Sequence, residues 1–205
     1  MIKGYWRHGV CFVDIVLWFW FSMGRKYRIS SRERPRLEMG EGINYTYGET
    51  PLRALESIFD IVEPLPGERF LELGCGTGRL SLAASLVYRL HAVGIEAIPT
   101  FVRRASLLAR WMGIDHAASF RHGDLFQSDW SDADIIYLTA TTFTVGRLKS
   151  IDEKIDEMKE GAWLCCLTHR PSHSDLLLRH TLVVDCSWGP ATVFICRKLT
   201  CALPQ

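Results

Sequence analysis

The chain has 205 residues, a length that suits one α/β domain with a short extension and leaves no room for two full domains. Apolar residues make up 48% and charged residues 23%, which excludes disorder over most of the length. A formal net charge of +1 offers no basic field to draw a polyanion, so no nucleic-acid partner is expected.

Val10 to Phe21 is apolar apart from Asp14, carries Trp18 and Trp20, and precedes a basic cluster from Arg25 to Arg36. The run is shorter than the roughly 20 apolar residues of a spanning helix. Gly24-Arg25-Lys26-Tyr27-Arg28 after it does not look like a signal-peptide cleavage site. A helix packed on the domain, an interfacial membrane helix with a basic flank, and a full span all remain open. Ser30 to Gly42 is polar and contains Pro35, as a linker would. The expected organisation is therefore a hydrophobic segment over 1–29, a linker over 30–44 and the main domain over 45–205.

From Glu49 to Val62, Leu52, Leu55, Ile58, Phe59 and Val62 recur at helical spacing, with Thr50 as the cap and Pro51 at the first helical position. Arg69 to Leu73 reads as a strand, Gly74 to Gly78 as a glycine-rich turn, and Arg79 to Tyr88 as a helix. His91 to Ile95 is a second strand. Pro99 opens a helix that runs to about Met112, stopped by Gly113. Ala118–Arg121 and Asp134–Leu138 are strands, Ile151–Lys159 an amphipathic helix, and Gly161–Leu167 a central strand. Thr181–Cys186 and Thr192–Leu199 flank Gly189-Pro190 as a closing hairpin. Strands alternating with helices predict right-handed βαβ units and a mostly parallel sheet, with ligands beyond the carboxyl ends of its strands.

Cys11, Cys75, Cys165, Cys166, Cys186, Cys196 and Cys201 include no C-x-x-C pair, and most lie in apolar runs. They read as buried free thiols in a reducing, intracellular compartment, and no metal site is expected. Cys165 and Cys166 are read as core residues, not nucleophiles.

The strongest signal is Phe70-Leu71-Glu72-Leu73-Gly74-Cys75-Gly76-Thr77-Gly78. Its glycines let a ligand lie against the backbone, and the helix behind it begins with unpaired amides. The spacing is G-x-G-x-G, not the dinucleotide G-x-G-x-x-G. Glu72, two residues ahead, would repel a pyrophosphate and suits a ligand with a positive charge, such as a sulfonium amino acid. Glu96, ending the second strand with Ala97 behind it, is placed to accept bonds from both ribose hydroxyls. Asp124, after the third strand, is placed to accept from an adenine amino group, with Leu125 beside the ring.

These residues, within a segment from about Tyr45 to Leu167, resemble the class I S-adenosylmethionine-dependent methyltransferases. The resemblance implies a Rossmann-like seven-stranded, mostly parallel sheet with helices on both faces and an antiparallel C-terminal hairpin. It implies S-adenosylmethionine as cofactor and a methyl-accepting substrate as partner. The cofactor-binding candidates are Tyr47, Thr50, Glu72, Gly74, Cys75, Gly76, Gly78, Glu96, Ala97, Asp124, Leu125 and Thr139. Tyr47-Gly48-Glu49-Thr50-Pro51 is also similar to the substrate-proximal loop of the non-SET lysine methyltransferases, which implies a protein lysine or another amine as acceptor. Where the histone enzymes of that group have an Asn pair, this chain has Thr139-Ala140-Thr141-Thr142-Phe143. Tyr45, Tyr47, Glu49, Thr139 and Thr141 are the candidates for the substrate mouth, with Tyr47, Glu49 and Thr139 as the catalytic candidates. His169 is a candidate base, read first as a solvated loop residue. A small-molecule or lipid acceptor, peripheral membrane contact through the N-terminal segment, and a non-catalytic cofactor-binding scaffold are the alternatives.

Overall fold

The structure, a computed structural model, describes residues 8–21, 25–34, 48–141 and 143–200. Its elements in chain order are α1 (His8–Trp20), α2 (Arg25–Glu33), α3 (Leu52–Val62), β1 (Arg69–Leu73), α4 (Arg79–Tyr88), β2 (His91–Glu96), α5 (Pro99–Trp111), β3 (Ala118–His122), β4 (Ile135–Thr139), α6 (Val145–Ile155), β5 (Trp163–Leu167), β6 (Leu176–Cys186) and β7 (Gly189–Lys198).

The strands form one seven-stranded sheet in the order β3-β2-β1-β4-β5-β7-β6. Neighbours from β3 through β5 are parallel, while β7 runs antiparallel to both β5 and β6. The strand order reverses between β1 and β4, so a crevice opens beyond their carboxyl ends.

Alternate residues of β1 feed opposite cores, as a pleated strand requires. Phe70 joins Phe59 of α3, Leu82 of α4 and Phe101 of α5 on one face. Leu71 and Leu73 join Ile151 and Ile155 of α6 and the fully buried Trp130 on the other. Val13, Leu17 and Phe21 of the N-terminal segment are buried in the first of these cores, and α1 packs along α4. Phe21 meets Phe101 edge-on at 6.0 Å. Among the described residues no helix is long and apolar enough to cross a membrane.

Four expectations need correction. Thr50 does not cap α3: Pro51 takes the N-cap position without a side-chain bond, and the Thr50 hydroxyl turns inward instead. Helix α6 starts at Val145, earlier than the Ile151 expected, because Thr144 caps it while its exposed first turn carries no amphipathic signal. The hairpin turns at Ser187-Trp188, not at Gly189-Pro190. Gly189 pairs with Cys186 and Pro190 with Asp185 inside the ladder, and β6 begins at Leu176. Finally, α2 runs through Glu33, into the segment expected to be a linker.

Gly78, the N-cap of α4, has φ +78, and an added Cβ would lie 2.5 Å from Cε1 of Phe120. Gly78→Ala is expected to destabilise the fold by about 2–4 kcal/mol, from left-handed strain plus overpacking. A urea titration checks this; an unchanged midpoint would show that Phe120 does not press on the turn.

Candidate active site

The chain leaves β1 through Gly74, Gly76 and Gly78, whose φ values of +79, +52 and +78 suit glycine best. The Gly74 and Cys75 amides both donate to the Ile95 carbonyl at 2.9 Å, which ties the turn to β2. At Gly74 an added Cβ would meet nothing within 4 Å, so a ligand can approach the backbone directly. Cys75 itself is buried, with Sγ 2.7 Å from the position of a Cβ on Gly94, and burial raises its thiol pKa well above the ordinary value.

Glu96 is 6% exposed. Its Oε2 accepts the Gly76 amide at 2.8 Å and its Oε1 accepts the Ile98 amide at 2.9 Å. Burial raises its pKa, while those amides and the nearby Arg34 charge oppose the rise. Glu72 lies on the cleft floor, where Ser81 donates to its Oε2 from the amide at 2.8 Å and from the hydroxyl at 2.5 Å. Burial outweighs these bonds and pushes the Glu72 carboxyl up to about 8. Asp124 accepts the Phe126 amide at 3.0 Å and faces Arg147 at 3.6 Å.

Apart from Gly78, which packs against Phe120 and Ala105 and does not reach it, these groups line a cleft of about 470 Å³ at the β1/β4 switch point. Ala97, Leu125, Thr139 and Thr141 also reach it, and Gly48, Glu49 and Thr50 cross its rim. Their segment is held on three sides. The Thr50 hydroxyl meets the Tyr137 hydroxyl at 2.7 Å. The Glu49 amide donates to Ser187 Oγ at 3.0 Å, and the ring of Trp188 occupies the space a Gly48 side chain would need, 2.1 Å from its ideal Cβ. The Glu49 carboxylate accepts from Thr77 Oγ1 at 3.2 Å and from Arg79 Nη1 at 3.4 Å, and it pairs with Lys26.

Glu49, Thr50 and Thr139 line the same cleft as Gly74, Gly76, Glu72, Glu96 and Asp124. Tyr45 and Tyr47 lie outside the described residues. His169 does not line the cleft; it is half-buried, and its Nε2 finds no hydrogen-bond partner among the described residues. Cys165 and Cys166 are buried core residues whose thiol pKa values burial raises. Tyr137, Trp188, Arg34, Arg79 and Arg147 line the cleft and were not legible in the sequence. Tyr137 falls there in an expected strand, and no short-range signal marks Trp188 or the three arginines as cleft residues.

The cleft fits a cationic nucleoside. It offers a backbone turn open to contact, a buried carboxylate at the end of β2, and a buried acid of raised pKa on its floor.

Comparison with known proteins agrees. The family model described as the ANTKMT methyltransferase domain matches residues 72–171. A protein-lysine N-methyltransferase of Saccharolobus islandicus is 28% identical over 116 residues, covering 56% of this chain and 71% of that protein. The RlmD 23S rRNA (uracil(1939)-C(5))-methyltransferase of Aromatoleum aromaticum is 33% identical over 105 residues, covering 50% of this chain but only 21% of its relative. An RNA methyltransferase of Salinibacter ruber, solved with S-adenosyl-L-homocysteine, shares the fold at a TM-score of 0.64 and 21% identity, over 77% of this chain and 97% of that one. With RNA enzymes among these relatives, the expectation of no nucleic-acid partner is not supported. Motif, fold and relatives agree on one conclusion: the chain is an S-adenosylmethionine-dependent methyltransferase with a Rossmann-like fold.

Proposed function

We propose that this methyltransferase acts on the side-chain amine of a protein lysine, or on another amine. The observation that carries this reading is the Gly48-Glu49-Thr50 segment. It lies across the cleft rim with its carboxylate beside the glycine turn. The similarity to a protein-lysine N-methyltransferase supports it, as does the ANTKMT family match. A cationic alkylammonium suits a rim that carries Glu49 together with the apolar faces of Trp188 and Phe143.

In this reading Glu96 takes the ribose hydroxyls on lone pairs its two amides leave free, and Asp124 with Leu125 holds the adenine. Glu72 and the turn from Gly74 to Gly76 hold the amino-acid end. The bound cofactor supplies a methyl group on a sulfonium centre, already activated for displacement. The protein's remaining work is to orient the acceptor and exclude water, where correct orientation supplies about 7–11 kcal/mol. Thr139, Thr141 and Glu49 are the groups that fix the acceptor amine and ease loss of its proton into the cleft. The domain that does this is proposed to be 45–205, preceded by the N-terminal helices.

A second reading places the acceptor at a membrane surface. Its motivation is the outer face of α1, which leaves Phe12, Ile15, Trp18 and Phe19 exposed beside the basic α2.

One experiment separates the acceptors. The protein is incubated with methyl-tritiated S-adenosylmethionine and a whole-cell extract, and the label is followed into acid-hydrolysed protein, nucleosides and the organic-solvent lipid fraction. Methyl-lysine is the expected product; label confined to nucleosides or to lipid would overturn the lysine reading.

Glu96→Gln keeps an acceptor oxygen for one amide but loses the charge. It is expected to weaken S-adenosylhomocysteine binding at least about tenfold, as read by calorimetry. Native affinity would remove Glu96 from the ribose site.

Glu72 gives a pH signature. Its folded pKa of about 8 lies above the ordinary 4.5, so its proton is held in the folded, ligand-free protein and its contribution to stability is lost as pH rises from 4.5 to 8. A ligand ammonium placed beside it favours the carboxylate, so binding should release protons below pH 8 and strengthen as pH rises from 6 to 8. Calorimetry in buffers of different ionisation enthalpy measures the release, and Glu72→Gln should abolish it.

A further inference from the structure

Helix α1 is apolar along almost its whole length, yet it carries Asp14. The side chain of Asp14 is only 18% exposed, so its carboxylate is largely withdrawn from water and is favoured there by a charged partner. Its partner is Arg79, the first residue of α4, on the rim of the cofactor cleft. Arg79 donates to Asp14 Oδ1 from Nε at 2.8 Å, and its Nη2 lies 2.6 Å from the same oxygen as an ion pair. That engages one edge of the guanidinium and leaves Nη1 to reach Glu49 at 3.4 Å. Lys26 of α2 closes the chain on the same Glu49 oxygen, while Thr77 of the glycine turn holds the other.

The location of this relay separates a working role from simple docking. A second cavity of about 240 Å³, walled by Leu17, Trp18 and Phe21, lies against the cofactor cleft. Glu49, Thr77 and Arg79 line both spaces. A partition with free volume on each side is not fixed by close packing. The direction of the Arg79 fork, and through it the place of the Glu49 carboxylate, is set by the bonds themselves, and Asp14 supplies the charged end of the relay. A planar guanidinium can hold two carboxylates at fixed angles, which an ammonium cannot. The segment that precedes the catalytic domain thereby takes part in shaping the site.

We propose that Asp14 is a positioning residue for the cofactor site, acting through Arg79 to fix Glu49 at the mouth of the cleft. The proposal rests on the reading above that places the cofactor's amino-acid end against the glycine turn.

The test is calorimetric binding of S-adenosylhomocysteine to the full chain. Asp14→Asn is expected to raise Kd about five- to tenfold, the scale of one lost charged bond transmitted indirectly. Asp14→Glu should recover most of the affinity, and Glu49→Gln combined with Asp14→Asn should be no weaker than the worse single variant. Native affinity in Asp14→Asn, or losses that simply add in the double variant, would overturn the relay. Should Asp14→Asn fail to fold, Arg79→Lys keeps the charge and removes the fork. It should bind as weakly as expected for Asp14→Asn, and native affinity there would overturn the proposal equally. Failure of the native chain to bind the nucleoside would overturn the placement of the cofactor and the relay with it.

Discussion

The Glu96 carboxylate takes the Gly76 amide on one oxygen and the Ile98 amide on the other, and so joins the turn after β1 to the chain leaving β2. Two adjacent parallel strands end side by side, and their backbones diverge beyond the ladder with amides that need partners. One buried acid satisfies an amide from each. Without it, the glycine turn and the start of α5 would each expose an unpaired donor, at a cost of about 1–3 kcal/mol apiece. The crevice at the switch point keeps its shape because this carboxylate spans it from behind, and the adjoining acids, glycines and rim segment are arranged around that fixed turn.

The acids of the cleft differ in what their oxygens accept. Glu72 and Glu96 are similarly buried, but the second has amides on both oxygens and an arginine nearby, while the first has Ser81 on one oxygen alone. Burial pushes Glu72 up to about 8, so it is left protonated near neutrality, poised to give up its proton when a positive charge arrives. Asp124 is more exposed and faces Arg147 at 3.6 Å. At the rim, Glu49 pairs with Lys26 and Arg79, groups contributed from α2 and α4.

The rim also shows why the acceptor is harder to read than the cofactor. A cofactor is held by backbone turns and strand-end acids, which the fold places at fixed points. An acceptor is met by segments that arrive from elsewhere: the 48–50 strap, the Ser187-Trp188 hairpin tip and the N-terminal helices. Catalytic and substrate-binding groups concentrate on such segments because the scaffold beneath them is rigid. Relatives of this fold accordingly include enzymes for protein and for RNA.

What the sequence determined by itself was the part governed by short-range physics. Left-handed glycines marked the turn, Pro99 and Gly113 bounded α5, and apolar runs in alternation with helical periods required a mostly parallel sheet with its site beyond the carboxyl ends of the strands. Glu72, Glu96 and Asp124 were legible because each sits beside such a landmark: Glu72 two residues ahead of the first glycine, Glu96 and Asp124 at the ends of the second and third strands. The tertiary structure alone decided the rest. The hairpin turn slid off Gly189-Pro190 because pairing across the ladder, not local turn preference, set its register. The Thr50 hydroxyl left its helix for Tyr137, 87 positions away, Asp14 found Arg79 across 65, and the Glu49 amide found Ser187 across 138. Bonds of that span leave no periodicity and no local propensity, since their geometry exists only once the sheet has brought its edges together.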